Sequence, residues 1–167
     1  MLMQEMYVDG SVISQAVAAK SRVATLNDIS IPCLGFMVAV LGLRLAKIVG
    51  HTLELPPANW TLCSDIIDVL YWITGRSRNF KQFVANRVGE IQNSTNPMQW
   101  GHVPIESNPV GLLSRGITVA KLTEENMWWT GPTFLCTSPD EWPRTKSRKG
   151  GHMIMKGANR IKQVVMM

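Results

Sequence analysis

Apolar positions along this chain change their spacing several times, and each change marks an element. In "EMYVDGSVISQAVAAKSRVA" they alternate around Asp9-Gly10. Val12, Ala16 and Ala18 fall on one side by period-two counting, and Ile13, Gln15 and Val17 on the other. Asp-Gly between two such runs predicts a hairpin with a type I′ turn, which needs positive φ at both central residues. From Ile31 the spacing becomes helical. Leu34, Met37, Val38, Leu41, Leu45 and Ile48 recur along one stripe, with Ser30 placed to cap and Pro32 in the first turn, so a helix runs to about Val49. "NWTLCS" predicts a short strand with Asp65 at its end, and "IIDVLYWITG" a short helix closed by Gly75. "NFKQFVANRVGEIQNST" predicts an amphipathic helix with Phe80, Phe83, Val84, Val88 and Ile91 on one side, and "QWGHVP" another strand. "SNPVGLLSRG" opens a further helix that Asn108 can cap, and "LTEENMWWTGPTFL" reads as a short helix and turn. A hairpin followed by interleaved helices and strands is a mixed α/β order, and a strand leading directly into a helix suits a crossover within a sheet.

Two of these helices carry a glycine just inside their start, Gly35 and Gly111. A glycine within a helix costs about 0.5–1 kcal/mol relative to alanine. Both positions therefore ask for a reason.

Charge divides the chain in two. The net charge is +5 and the pI 9.4, yet residues 1–143 hold ten Lys/Arg against twelve Asp/Glu, and residues 144–167 hold seven Lys/Arg and no acid. The expectation is one domain over 1–143 and a basic, poorly ordered tail over 144–167. A hydrophobic content of 46% excludes disorder throughout. Cys33, Cys63 and Cys136 show no CxxC spacing, and an odd count of three fits reduced thiols in a cytoplasmic or nuclear protein better than a disulfide framework. His51, His102 and His152 are scattered, so no zinc site is read. "MLMQEMYVDG" lacks the basic start and apolar run of a signal peptide. The most apolar run, Ile31 to Leu43, gives way to Arg44 and Lys47 before the roughly 20 residues of a membrane span. A buried helix, with no membrane partner, is expected there.

Longer words in the sequence go further than its periodicity. "AAKSRVATL", "SDIIDVLYWI", "FKQFVANRVGEIQ", "QWGHVPIESNPVGLLSRG" and "WWTGPTFL" with "EWP" occur in that order. Together, over roughly residues 7–143, they resemble the ribonuclease H region of BEL/Pao-type retrotransposon polyproteins. The resemblance implies a ribonuclease H-like mixed sheet with flanking helices. It also implies cleavage of the RNA strand of an RNA–DNA hybrid by two divalent metals, Mg²⁺ or Mn²⁺, held by four carboxylates. These come from the first strand, the first long helix, the fourth strand and the start of the last helix.

Against that pattern the chain is truncated and degenerate. Asp65 in "CSDIIDVL" matches the aspartate of the family's "TDS..VL". Gly35 in "IPCLGF" stands where the family's "IPRLEL" has glutamate, and Gly111 in "NPVGLLSRG" stands where "NPADLLSRG" has aspartate. The first strand and its aspartate would lie upstream of Tyr7 and are missing; Asp9 is not a substitute, because the resemblance puts it in the turn after a later strand. Each glycine is thus a lost metal ligand. Asp65 is left as a vestigial catalytic carboxylate and at best a weak metal ligand, so no cofactor is expected. Asp68, a helical turn further on, has no catalytic counterpart in the family.

The expected function is an inactive remnant of a retrotransposon ribonuclease H domain that keeps non-specific nucleic-acid binding. The alternative is an active ribonuclease H within a longer polyprotein. Arg76, Arg78, Lys81 and Arg87 cluster around "RSRNFKQFVANRVGEIQ" as candidate contacts to an RNA–DNA hybrid or other nucleic acid. A missing first strand, normally central and beside the strand of Asp65, would leave open sheet edges and favour self-association.

Overall fold

The computed structural model describes residues 1–23, 30–112, 116–122, 127–137, 141–142 and 161–167. The hairpin forms as β1 (Leu2–Met6) and β2 (Val12–Ala16), antiparallel, with Leu2 opposite Ala16. Its turn is not type I′. Within it only Gly10 takes a positive φ, +86°. The Gly10 N–H donates to Tyr7 O at 3.1 Å and the Tyr7 N–H to Ser11 O at 2.8 Å. The Asp9 carboxylate accepts from the Ser11 N–H (2.9 Å) and the Ser11 hydroxyl (2.7 Å), which holds Asp9 outside the left-handed region. One glycine then closes the loop as a bulge.

Helix α1 (Ile31–Thr52) is followed by β3 (Trp60–Ser64), α2 (Ile67–Thr74), α3 (Gln82–Gln92) and β4 (Trp100–His102). A short helix occupies Met127–Thr130, and β5 (Ile161–Met166) comes last of the described elements. The five strands form one sheet in the order β2-β1-β5-β3-β4. β1 is antiparallel to β2 and β5, and β3 is parallel to β4 and β5.

This order corrects two expectations. The sheet has no central gap beside the strand that leads to Asp65, because β5 fills it: Leu2–Glu5 pair with Val164–Ile161 on one side, and Trp60–Cys63 with Gln163–Met166 on the other. The open edges foreseen for a missing first strand are therefore closed, and the outer strands are β2 and β4. A poorly ordered tail is likewise not what Ile161–Met166 form. Positions 161, 164, 165 and 166 are all apolar, and Val165 and Met166 are buried at 1% and 4% exposure. The rest of the tail, 144–160, lies outside the described residues.

Helix α1 forms where expected but turns a different face inward. Phe36, Ala39, Val40, Leu43, Ala46 and Gly50 are buried, whereas Val38 and Ile48 of the anticipated stripe are exposed. Both sides of this helix are apolar, so periodicity does not choose between them. Small residues do: Ala39, Ala46 and Gly50 let the backbone approach the sheet, and a Cβ at Gly50 would come within 2.7 Å of the Trp60 ring. At 22 residues, α1 is long and apolar enough by length and composition alone to cross a bilayer, contrary to the shorter span expected, yet its inner face is part of the core. That core joins α1 to Leu62, Val69, Ile73, Val84, Val88, Ile91 and Trp100. A second cluster on the opposite side of the sheet contains Leu2, Cys63, Val103, Leu135, Trp142 and Met166.

Burial pushes the Cys63 thiol up to about 12 from an ordinary value of 9.0. A thiol that stays protonated when folded but ionises when unfolded stabilises the fold fully below pH 9 and progressively less above it. The expected loss is about 1.4 kcal/mol by pH 10, the worth of one pKa unit. Urea titrations of the parent and Cys63→Ala at pH 8 and pH 10 check this, since only the parent should carry that increment.

Candidate metal centre and nucleic-acid surface

β3 carries the chain to the site. Ser64, buried, ends it: its carbonyl accepts the Val103 N–H at 3.1 Å, and its hydroxyl accepts the Ile66 N–H at 3.2 Å. Asp65 follows, half-buried between the strand and α2. Here a cavity of about 660 Å³ opens between α1, α3, the β3–α2 junction and the Asn108–Gly111 segment. Asp65, Gly35 and Gly111 all line it. The three positions singled out from sequence thus come from separate parts of the chain to one cavity. Asn108, anticipated as a helix cap, accepts the Val110 N–H at 3.2 Å through its side-chain oxygen. It is fully buried, and its Nδ2 donates to Met167 O at 2.9 Å, which ties this segment to the residue after β5.

The donor set does not fit a two-metal centre. Among the described residues, the side-chain carboxylates in the cavity lining are Asp65 and Glu90. Glu90 is held by Arg44 through a two-pronged contact, Nε to Oε1 at 2.8 Å and Nη2 to Oε2 at 2.9 Å. The Arg44 guanidinium, chiefly, keeps the Glu90 carboxyl below the usual range, with Lys47 and Arg87 adding to it. No group of three or more His, Cys, Asp or Glu able to hold a metal occurs among the described residues. At Gly35 a Cβ would meet Ile66 Cδ1, the end of a half-buried side chain, so a larger residue there requires Ile66 to shift. Asp68 is exposed and absent from the lining.

The cations are arranged differently from the cluster read in sequence. Arg87 is in the cavity lining, its guanidinium stacked 3.6 Å over the Phe83 ring and donating to Phe83 O at 2.9 Å. Arg76, Arg78 and Lys81 are exposed before and at the start of α3 and do not line the cavity. Instead Lys20, Arg22 and Arg44 join Arg87 there. No local signal along the chain marks that grouping, because Lys20 and Arg22 follow the hairpin and Arg44 lies in the middle of α1.

Residues 2–66 match the Pao retrotransposon-like RNaseH-like domain. The match supports an RNase H region of a Pao-type retrotransposon, and the mixed α/β sheet with its flanking helices is consistent with an RNase H-like fold. Gly35 and Asp65 lie inside the matched residues and Gly111 outside them. Neither the curated proteins nor the solved structures return a match.

Proposed function

We propose that this chain is a catalytically inactive remnant of a Pao-type ribonuclease H domain that retains non-specific nucleic-acid binding. One observation carries the reading: the cavity at the end of β3 brings Asp65 together with two glycines, Gly35 and Gly111, at the positions where the resemblance implies carboxylates. Two divalent metals about 3.5–4 Å apart need several shared oxygen ligands. Asp65 alone supplies one carboxylate, and Glu90 is engaged by Arg44.

Binding without chemistry suits the same surface. Lys20, Arg22 and Arg87 in the cavity lining, with Arg76, Arg78 and Lys81 beyond it, offer cations to a phosphate backbone. Such contacts carry no base information and release counterions, so affinity falls steeply with salt. Fluorescence anisotropy with an RNA–DNA hybrid and a DNA duplex of equal length tests this. Both should bind with similar affinity. Arg22→Ala and Arg87→Ala should each flatten the slope of log affinity against log salt by about one unit. Binding that is independent of salt, or unaltered in both variants, would sink the nucleic-acid half of the reading.

A further inference from the structure

β5 is the last of the described elements along the chain and the central strand of the sheet. The other four strands and the helices lie within residues 2–136, and they surround a slot one strand wide between β1 and β3. We propose that this slot is a strand-acceptor site that also takes Ile161–Met166 of a second copy of this chain, giving a dimer joined by exchange of β5.

The slot recognises its strand through determinants that are all on its walls. Backbone pairing runs along both sides, antiparallel to β1 and parallel to β3. Beyond the strand, the Met167 N–H donates to Cys63 O at 3.0 Å and Asn108 Nδ2 to Met167 O at 2.9 Å. Gly42 of α1 is cut to receive it: a Cβ there would come within 2.6 Å of Met167 Sδ and 3.3 Å of a Val165 methyl. Val165 and Met167 enter the α1 side of the core, and Met166 enters the cluster on the other side with Leu2, Cys63 and Trp142. None of these contacts depends on which copy supplies the strand, which is the condition for swapping an identical element between protomers. The fit of this chain's own Val165, Met166 and Met167 to these walls is what names a second copy as the occupant.

The connection permits either route. Eighteen residues, 143–160, separate Trp142 from Ile161, and a chain of that length reaches at most about 60 Å. Insertion within one copy competes with insertion from another, and the second route gains as protein concentration rises. While the slot is empty during folding, it presents two strand edges, each ready to pair. Concentrated refolding therefore favours exchange.

Cys63 pairs with Met166 across β3 and β5, and both side chains belong to the same cluster. In the full chain carrying Cys33→Ser, Cys136→Ser and Met166→Cys, oxidation should join Cys63 to the introduced thiol. Refolding at a low and a tenfold higher protein concentration, then oxidation and non-reducing electrophoresis with peptide mapping, reads which copy supplied β5. The expected result is a covalent dimer linked through Cys63, with a dimer-to-monomer ratio that rises about tenfold between the two samples. A second arm deletes residues 144–160. Pro143 alone then links Trp142 to Ile161, spanning about 7 Å, whereas β5 runs about 16 Å from Ile161 to Met166, and the Met166 side chain shares a cluster with Trp142. So short a link opposes insertion within one copy, and the deletion chain should be dimeric by light scattering at every concentration tested. Cross-linked monomer as the sole product at both concentrations overturns the proposal, as does a dimer joined through two introduced thiols. If the deletion chain shows no folding transition, the refolding series on the full chain decides.

Discussion

Removing residues 161–167 is expected to abolish cooperative folding. Val165, Met166 and Met167 are exposed by only 1%, 4% and 6%. Burial of side chains of this size contributes about 1.5–3 kcal/mol each, and a domain's whole stability is about 5–15 kcal/mol. The same deletion leaves β1 and β3 without their shared neighbour, so two ladders are lost together. Circular dichroism should show no sigmoidal thermal transition in the truncated chain, where the parent shows one. A truncated chain that melts within a few degrees of the parent would mean that β5 is not the central strand.

Trp100→Ala should be among the most damaging single substitutions. Trp100 lies on β4, a strand of three residues, and is fully buried in the main cluster. Its Nε1–H donates to Thr95 Oγ1 at 3.0 Å, and that hydroxyl in turn donates to Ile91 O at 2.9 Å. Truncating a buried tryptophan costs about 3–5 kcal/mol through lost transfer energy and the cavity left behind. Trp60, at 5% exposure, makes the informative contrast, because its indole N–H is buried with no partner among the described residues. A Trp→Phe change removes a satisfied hydrogen bond at position 100 and an unsatisfied donor at position 60. Chemical denaturation should therefore find Trp100→Phe the more destabilising of the two. Equal losses would remove the Thr95 hydrogen bond from the account.

Most of the fold's local pieces were legible in the chain because their signals are local. Asp9-Gly10, Ser30-Pro32, Gly75 and the strand ending before Asp65 each mark a boundary through the conformations those residues favour. What escaped was nonlocal. Ile161–Met166 has the apolar content of a strand, but its flanking Arg160 and Lys162 and the cations before them read as a solvated tail. Its partners, Leu2–Glu5 and Trp60–Cys63, lie about a hundred residues or more away, and no spacing within the segment names them. The inward face of α1 escaped for a different reason: Leu34, Met37 and Val38 are as apolar as Phe36, Ala39 and Val40, so close approach by small residues, not hydrophobicity, chose the packed side. At the site, Gly35, Asp65 and Gly111 were legible through motif resemblance, and they line one cavity. The cations beside them, Lys20, Arg22 and Arg44, were not, since only the folded chain brings them together.

The measurement that bears most directly on the account is cleavage of an end-labelled RNA–DNA hybrid by the full chain and by Asp65→Asn, in Mg²⁺ and separately in Mn²⁺. A site reduced to Asp65 predicts that both proteins leave the RNA strand as intact as a protein-free control, in either metal. Cleavage by the parent that Asp65→Asn abolishes would contradict it, and would show that the cavity between α1 and α3 still assembles a working metal centre.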